Sequence, residues 1–342
     1  FSGVRDTCAS QVVDGKAFCG RENGFPQKAF YHKPVRGYRK GRWVMMKKVK
    51  SYLCKESVSG VIFSLPFIIG LVVFLIVPLG ISLYYAFCEY NILSPAEFTG
   101  FDNFITLFHD ELFYKSLGVT VFYTVVSVPL KLIFALFVAM LFQKTTKAAG
   151  IYRAVYYLPS IIGGSVAVSV LWKRMFAVDG TINQILRGLG VQNTIAWLGD
   201  TRTAIWTLIL LTVWQFGSSM LIFLSALKQI PASYYEASTV DGAGKINQFF
   251  RITLPLLTPT IFFNLVMQVI NGLLAYTQCF IITNGKPMNS TLFYMVHMYN
   301  QTFVYYKAGY GAALAWMMIL IVGAFTAVLF LTKKKWVYDG GV

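Results

Sequence analysis

One apolar stretch of the sequence carries a regular series of amide side chains. The series runs through residues 259–282 and consists of Asn264, Gln268, Asn271 and Gln278. At about 100° of rotation per residue, these side chains fall within an arc of about 80° on one face of a helix. Amides in an apolar surrounding are costly unless they are hydrogen-bonded. The stripe must therefore bond neighbouring helices or line a wet cavity that could bind a polar solute.

Lys131 is a second polar residue deep within apolar sequence. It could neutralise an anionic group of a substrate or partner, although a lysine in such a place more often extends to the membrane surface or pairs within the protein. The apolar stretches contain no paired carboxylates and no nucleophile beside a base, and His32, His109 and His297 are isolated in the sequence. The five cysteines lack C-x-x-C spacing. We therefore expect no catalytic residue, no bound metal and no enzyme.

Membrane-spanning helices must position these side chains. The 342 residues are 56% hydrophobic and 13% charged, against about 25% charged in a soluble domain. A span needs about 20 mostly apolar residues, and six stretches reach that length: 61–87, 118–142, 151–172, 204–227, 259–282 and 311–332. Four of their residues, Pro66, Pro78, Pro129 and Pro159, predict kinks rather than ends. The predicted fold is an all-α polytopic membrane protein with six transmembrane helices.

The distribution of basic residues predicts the orientation of these spans. With the N-terminus inside, the cytoplasmic segments hold 22 Lys and Arg, with Arg153 counted in its neighbouring loop, against 7 in the outer loops. Basic residues resist translocation, so both termini are expected in the cytoplasm. The net charge of +16 is concentrated in the first 55 residues, which carry 13 basic and 3 acidic side chains. The basic charge is thus concentrated at one end of the chain, and we expect no nucleic-acid partner.

The chain divides into a basic tail over residues 1–57, a six-span domain over 58–338 and a short end over 339–342. Residues 1–44 show no hydrophobic periodicity, and Met45 and Met46 open a basic lead into the first span, so we expect translation to start there. The alternative is a disordered tail that touches anionic lipid through Arg36, Arg39, Lys40 and Arg42. No signal-peptide cleavage site follows the first apolar stretch.

The loop over residues 228–257 does not look like a plain connector. Residues 233–240 favour a short helix, Gly242 and Gly244 permit a tight or left-handed turn, and an apolar rhythm resumes over 246–252 until Pro255 stops it. Two short helices joined at glycine would form a protruding knob. Ala237, Ile246 and Phe249 or Phe250 would give it an apolar anchor, and Glu236 a charge that fixes its register.

This loop resembles the coupling motif of binding-protein-dependent ABC importer permeases of the maltose or multiple-sugar type. The motif is Glu-Ala-Ala, three residues, Gly, nine residues, Ile, any residue, Leu-Pro. The corresponding residues here are Glu236, Ala237, Ser238, Gly242, Ile252, Leu254 and Pro255, with Ser238 in place of the second Ala and Asp241 extending the match. Outer-loop segments at 180–186, 197–200 and 309–313 also look like that branch, so the resemblance covers about residues 58–338.

The resemblance implies a MetI-like permease subunit in a bacterial cell membrane. Its loop would dock on a cytoplasmic ABC ATPase dimer. A second permease subunit would form a heterodimer with this chain, and an extracytoplasmic solute-binding protein would deliver a sugar. The chain itself would bind no cofactor, because ATP and Mg²⁺ would be used by the partner ATPase. The sequence contains no G-x-x-x-x-G-K-[S/T] phosphate-binding loop.

The same resemblance suggests a substrate path through the amide stripe. Hydroxyls of a sugar would bond Asn264, Gln268 and Asn271, and Tyr276 or Tyr123 would stack on its apolar face. Three residues of the fourth span could complete this substrate site: Gln215, Ser218 and Ser219. A competing interpretation is an ion-coupled secondary transporter of a small polar solute, which would need intramembrane carboxylates that these spans lack. A membrane-bound enzyme or structural anchor is a third class.

Overall fold

The computed structural model describes residues 12–13, 16–17, 56–143, 149–191 and 194–338. Most of the predicted basic tail, including Met45 and Met46, lies outside the described residues, as does the C-terminal end over 339–342. Two short strands near the start, β1 (Val12–Val13) and β2 (Lys16–Ala17), pair in antiparallel fashion. A second antiparallel hairpin joins β3 (Cys88–Glu89) to β4 (Glu97–Phe98).

Helices make up most of the remaining described structure. In chain order they are α1 (Glu56–Leu71), α2 (Val77–Ala86), α3 (Asp102–His109), α4 (Glu111–Leu141), α5 (Ala149–Ile162), α6 (Val166–Met175), α7 (Thr181–Gly188), α8 (Ala204–Trp214), α9 (Gly217–Gln229), α10 (Ala232–Val240), α11 (Lys245–Gln248), α12 (Leu254–Leu273), α13 (Thr277–Ile282), α14 (Tyr294–Tyr299) and α15 (Ala308–Trp336). Three π-helical turns, Val72–Ile76, Phe249–Thr253 and Asn300–Val304, join α1 to α2, α11 to α12, and α14 to the segment before α15.

The lengths of these helices agree with a protein that crosses a membrane several times. Within the described residues, four helical segments are long and apolar enough to span: Phe63–Ala86, Glu111–Leu141, Lys245–Ile282 and Ala308–Trp336. Two bent pairs, α5 with α6 and α8 with α9, bring the number to six if each pair is one span. The predicted all-α, polytopic fold class is therefore confirmed.

The third predicted span, over residues 151–172, is not one straight helix. Between α5 and α6 the axis turns by 96°. The turn occurs at Gly163 and Gly164, after which the Ser165 side chain accepts a hydrogen bond from Val168 N at 3.3 Å and so begins a new helix. A Cβ atom on Gly163 would lie 2.6 Å from Gln215 Cδ, so only glycine fits there. Hydropathy alone could not reveal this break.

The fourth span bends by 42° between α8 and α9, and α5 packs against the bend. Ser160 of α5 bridges it, because its Oγ donates to Gln215 O at 3.0 Å and accepts from Ser218 N at 3.0 Å. Gly217 permits this close approach, since a Cβ atom there would lie 2.8 Å from Tyr157 Cα. The two broken spans thus satisfy each other's free backbone groups, as required where water is scarce.

The fifth span also differs from its predicted form. The sequence predicts that Pro255 stops a short helix, but the chain continues helically from α11 through Phe249–Thr253 into α12, with Pro255 in the first turn of α12. A π-helical turn shifts the hydrogen-bonding register just before the proline, which lacks an N–H group to donate. At the other end the helix breaks after Leu273, and Tyr276 lies between α12 and α13.

The long helix α4 lies at the centre of the described packing. It contacts α8, α9, α12 and α14. Its buried side chains contribute to three apolar clusters, through Tyr123 beside α8, through Val128 and Leu132 beside α9, and through Phe113 beside α15. Small polar residues also face inward along α4: Ser116, Thr120, Thr124 and Ser127. Helix α4 therefore presents polar side chains to the interior of the helix bundle.

Candidate functional site: a polar cavity and an exposed helical loop

A cavity of about 390 Å³ lies where α4, α8 and α12 face one another. Its volume is within the range of about 300–1,000 Å³ that is usual for ligand pockets. The α4 wall contains Tyr123, Ser127 and Lys131, and the segment from Ala275 to Cys279 forms a further part of the lining. Polar side chains such as Thr212 and Gln268 alternate with apolar ones such as Val128 and Leu208 in the lining.

Lys131 enters this cavity from α4 and is 8% exposed. Its Nζ donates to Gln268 Oε1 on α12 at 2.9 Å. Gln268 Nε2 in turn donates to Ser219 Oγ on α9 at 3.2 Å. A chain of hydrogen bonds thus connects three helices beside the cavity, and it orients the amide of Gln268.

The four amide side chains of the predicted stripe do not all face the cavity. Gln268 and Asn271 line the cavity, and Asn271 is exposed to it without a hydrogen bond to any described residue. Asn264 does not line the cavity; it is 1% exposed and donates to Thr260 O in its own helix at 3.2 Å. Gln278 lines the cavity but also donates to Gly163 O at 3.2 Å. Its amide satisfies a carbonyl that the break after α5 leaves free.

Gln215 and Tyr276 also lie at the cavity, as the sequence suggested. Gln215 Nε2 donates to the same Gly163 carbonyl at 3.3 Å, so this residue supports the broken span as well. Tyr276 is stacked on Phe280, with ring centroids 5.1 Å apart and planes inclined by 22°, and lies beside Tyr299 at 5.3 Å. Tyr123 is hydrogen-bonded to Thr212 across the cavity. Of the predicted completing serines, Ser219 contacts Gln268 and Ser218 contacts Ser160, and neither lines the cavity.

The loop after α9 has the predicted form of two helices joined at glycine. Helix α10 ends at Val240, and Asp241 N and Gly242 N bond back to Ala237 O and Thr239 O at 3.1 and 3.0 Å. Gly242 has φ of +79°, a left-handed conformation that side-chain-bearing residues rarely adopt. Helix α11 then starts after Gly244. The motif requires a glycine at this position because the chain reverses there.

Gln248 of α11 holds the two helices of the loop together. Its Nε2 lies 3.0 Å from Ser238 Oγ and 2.9 Å from Thr239 Oγ1, both on α10. Below them, the Tyr235 hydroxyl lies 2.9 Å from Thr253 Oγ1. Ser238, which replaces the second Ala of the motif, is therefore used as a hydrogen-bond acceptor inside the loop. This departure from the motif adds a contact and removes none.

The end of the loop exposes large apolar side chains. Val240, Ile246 and Phe250 are 88%, 77% and 60% exposed. Ile246 and Phe250 border an open groove that also contains Gly244, Lys245 and Asn247. Phe249 is only half-buried and packs edge-on to Phe250, with ring centroids 5.0 Å apart. The sequence analysis did not single out Val240, although its position directly before the turn is a signal that could have identified it.

The remaining motif residues fall into an outer and an inner group. Glu236, Ala237 and Asp241 are exposed on the loop surface. Ile252, Leu254 and Pro255 are half-buried and lie where the loop joins α12. The outer group is thus open to solvent, whereas the inner group adjoins the helix that carries Gln268 and Asn271.

His297 is not isolated, contrary to the sequence analysis. Its Nε2 lies 3.3 Å from Asp110 Oδ2, and Tyr310 OH donates to the same carboxylate oxygen at 2.7 Å. Burial lowers the pKa of His297 below its usual value, and the neighbouring Asp110 opposes this shift. Within the described residues, no group of three or more His, Cys, Asp or Glu could hold a metal ion. The cluster joins α14, α15 and the start of α4.

Comparisons with known proteins give consistent results. Residues 112–334 match the family described as "Binding-protein-dependent transport system inner membrane component". The chain is 47% identical over 296 residues to the "Probable ABC transporter permease protein YesP" of Bacillus subtilis (strain 168), covering 86% of this chain and 96% of that protein. It is 32% identical over 245 residues to the "Lactose transport system permease protein LacF" of Rhizobium radiobacter, covering 70% and 82%.

The fold is similar to a chain of a solved bacterial ABC transporter, described as involved in the import of the acidic polysaccharide alginate. The TM-score is 0.70 at 20% identity, and the match covers 86% of this chain and 99% of that chain. At this identity the likeness concerns the fold. The family match over residues 112–334 includes the residues that line the cavity and those of the exposed loop.

Proposed function

The chain belongs to the family of binding-protein-dependent transport system inner membrane components, and from this premise we propose that it is the transmembrane subunit of an ABC importer that moves a carbohydrate into a bacterial cell. The cargo is a sugar, oligosaccharide or polyol derivative. ATP and Mg²⁺ are used by a separate ATPase dimer, and this chain binds no cofactor. The observation that carries the proposal is the exposed loop that ends in Val240, Ile246 and Phe250.

The loop has the properties of a docking element. Large apolar side chains exposed close together in one loop mark interaction sites, and the charged residues Glu236 and Asp241 lie on the same loop. Gln248 holds the two helices as a unit, and the helix runs on from α11 into α12. A push on the loop would therefore displace the α12 residues at the cavity, Gln268 and Asn271.

The carbohydrate cargo is supported by the cavity and by the relatives. Amides and hydroxyls such as Asn271, Gln268 and Thr212 suit hydroxyl-rich solutes, and Tyr276 provides an aromatic face. The cavity volume of about 390 Å³ accommodates a part of an oligosaccharide at a time. Relatives are named for lactose, for starch degradation products and for diacetylchitobiose.

The remaining partners complete the assembly. A second permease subunit forms a heterodimer with this chain, and an extracytoplasmic solute-binding protein delivers the cargo to the outer loops. Both termini and the exposed loop lie in the cytoplasm, in keeping with the distribution of Lys and Arg. Lys333, Lys334 and Lys335 at the end of α15 then lie at the cytoplasmic surface.

The test is whether the loop binds an ATPase. Ile246→Glu is made in a tagged chain expressed with its companion subunits, and Leu93→Glu serves as a control because Leu93 is similarly exposed, at 86%, on a loop outside this region. A central apolar anchor is worth more than about 1 kcal/mol. The ATPase should therefore co-purify at roughly a tenth of the wild-type level with Ile246→Glu and at the wild-type level with Leu93→Glu.

Crosslinking provides a second readout of the same contact. Cysteine at Val240 should crosslink to a cytoplasmic ATPase in membranes, and ATP should change the yield. Failure of Val240→Cys to capture any ATPase, together with full co-purification of Ile246→Glu, would contradict the proposal. Chain-dependent uptake that survived ATP depletion but stopped with an ionophore would point instead to a secondary transporter.

A further inference from the structure

Three polar side chains form a ladder along the cavity face of α4. Tyr123, Ser127 and Lys131 are spaced four residues apart, so they lie one above another on the same face of the helix. The Tyr123 hydroxyl is bonded to Thr212. The other two members of the ladder have hydrogen-bonding capacity that the described protein does not use.

Lys131 carries three N–H donors, and among the described residues its one hydrogen-bond partner is the neutral Gln268 amide, 2.9 Å away. No Asp or Glu occurs in the described lining of the cavity. A buried cation without a counter-charge is costly, and such groups in membrane proteins face the bundle interior or a wet cavity and pair with another charge or with carbonyl oxygens. The cavity therefore presents an ammonium group whose anion is missing from its walls.

Ser127 supplies an independent observation. The residue is 0% exposed, and its Oγ has no hydrogen-bond partner within the described part of the chain, although it belongs to the cavity lining. A buried hydroxyl that bonds to nothing is unfavourable, so a group that bonds to it is stabilised. A hydroxyl can donate to an anionic oxygen, and Ser127 lies one helical turn from Lys131.

We propose that the cavity binds a carbohydrate that bears a carboxylate, which accepts hydrogen bonds from Lys131 Nζ and Ser127 Oγ, while the Asn271 amide contacts neighbouring hydroxyls. This inference rests on the proposed function, because it specifies the cargo of that importer. Among the described residues that line the cavity there is one lysine and no arginine, which matches a single negative charge such as that of a carboxylate. A phosphoryl group carries a charge of about −1.5 to −2 at neutral pH and would call for more cations. The cargo is accordingly an oligosaccharide that contains uronic acid.

The experiment compares matched acidic and neutral trisaccharides. Cells that lack the chromosomal gene for this chain are complemented with the wild-type or variant gene, and all other subunits of the importer are present. The probes are three pairs built on galactose, glucose and mannose, in which the acidic member contains one uronate residue and the neutral member carries CH₂OH in place of that C6 carboxylate. Intracellular accumulation that depends on the chain is measured for both members of each pair, and the acid-to-neutral ratio is the readout.

The wild type should accumulate the acidic member of at least one pair roughly tenfold faster than its neutral partner, because hydrogen bonds to charged groups are the strong ones. Lys131→Met should lower that ratio by about tenfold or more, and Lys131→Arg, which keeps the charge, should retain most of it. Lys115→Met, which removes an exposed cation from the outer end of the same helix, should leave the ratio unchanged. Amounts of each variant in the membrane are measured in parallel.

Ser127→Ala provides a variant that removes only one oxygen atom and keeps the fold. It should lower the acid-to-neutral accumulation ratio about threefold to tenfold. This variant alone tests the inference if Lys131→Met does not reach the membrane. Chain-dependent uptake of a neutral member at a rate equal to its acidic partner would overturn this inference and leave the proposed carbohydrate importer standing. Wild-type ratios in both Lys131→Met and Ser127→Ala would also overturn it. Accumulation of neither member in any pair would also overturn the inference, whereas the proposed function is contradicted only if the ATPase does not bind the exposed loop.

Discussion

Substituting Gly242 by Ser tests whether the left-handed turn of the exposed loop is needed for coupling. Gly242 has φ of +79°, and a Cβ atom added there would meet nothing within 4 Å. The whole effect is therefore backbone strain, and a left-handed conformation costs a side-chain-bearing residue about 1–2 kcal/mol. The fraction of loops in the native geometry should fall by roughly 5- to 30-fold relative to alternative turn conformations.

Gly244 offers a matched control two residues away. A Cβ atom there also meets nothing within 4 Å, but its φ of −71° and ψ of 162° are ordinary, and it is the N-cap of α11. Gly244→Ser should keep or improve the cap, because Ser is a preferred N-cap residue. Gly242→Asn should lie between the two serine variants, since Asn tolerates the left-handed region better than Ser.

The assay measures cargo-stimulated ATP hydrolysis by the complete reconstituted importer, together with the thermal unfolding of the purified complex. Gly242→Ser should lose most of the stimulation while the unfolding temperature hardly changes, because the loop lies outside the apolar clusters of the fold. Gly242→Asp, which adds a negative charge at the turn as well as a side chain, should abolish uptake. Equal stimulation by Gly242→Ser and Gly244→Ser would refute the argument that the turn conformation matters.

Three further predictions concern other parts of the structure. Glu236→Lys should abolish uptake while the protein still inserts, because Glu236 is exposed on the loop and its charge would contact the ATPase; normal uptake would contradict this role. Gly163→Ala should lower the unfolding temperature by several degrees, since its Cβ would lie 2.6 Å from Gln215 Cδ and overpacking costs about 1–3 kcal/mol; Gly164→Ala, with nothing within 4 Å, is the control. Burial lowers the pKa of His297, so the unfolded chain binds the proton more readily than the folded chain does. Stability should therefore be lost as the pH falls through the ordinary histidine pKa of 6.5 and below. His297→Gln should flatten this pH dependence of the unfolding temperature, and an unchanged profile would show that His297 does not cause it.

Several features were accessible from the sequence because they depend on local pattern. The apolar lengths predicted membrane-spanning helices, and the described structure has four such segments and two bent pairs. The loop residues from 233 to 240 and the glycine at 242 predicted a helix and a left-handed turn, and both are present. Glycine determines the backbone conformation at its own position, and a bilayer requires an unbroken run of apolar residues. Both effects depend on neighbouring residues, so they can be read directly from the sequence.

Other features of the fold escaped the sequence because they depend on what packs against each residue. The helical periodicity placed Asn264, Gln268, Asn271 and Gln278 on one face, but neighbouring backbone decided that Asn264 bonds its own helix and that Gln278 bonds Gly163 O. The 96° turn after α5 arises where a glycine meets the side chain of Gln215 from another span. Amino-acid type gives no information about such a distant neighbour.

The sequence by itself determined that this chain crosses a membrane and carries a two-helix loop with the spacing of a coupling motif. Only the tertiary structure decided which polar groups share a space: Lys131 with Gln268, 137 positions along the chain, and Asp110 with His297 and Tyr310. Burial and hydrogen bonding are properties of groups brought together from distant segments. A buried hydroxyl without a hydrogen-bond partner, or an ammonium group without a nearby carboxylate, can therefore be recognised only once the helices have packed.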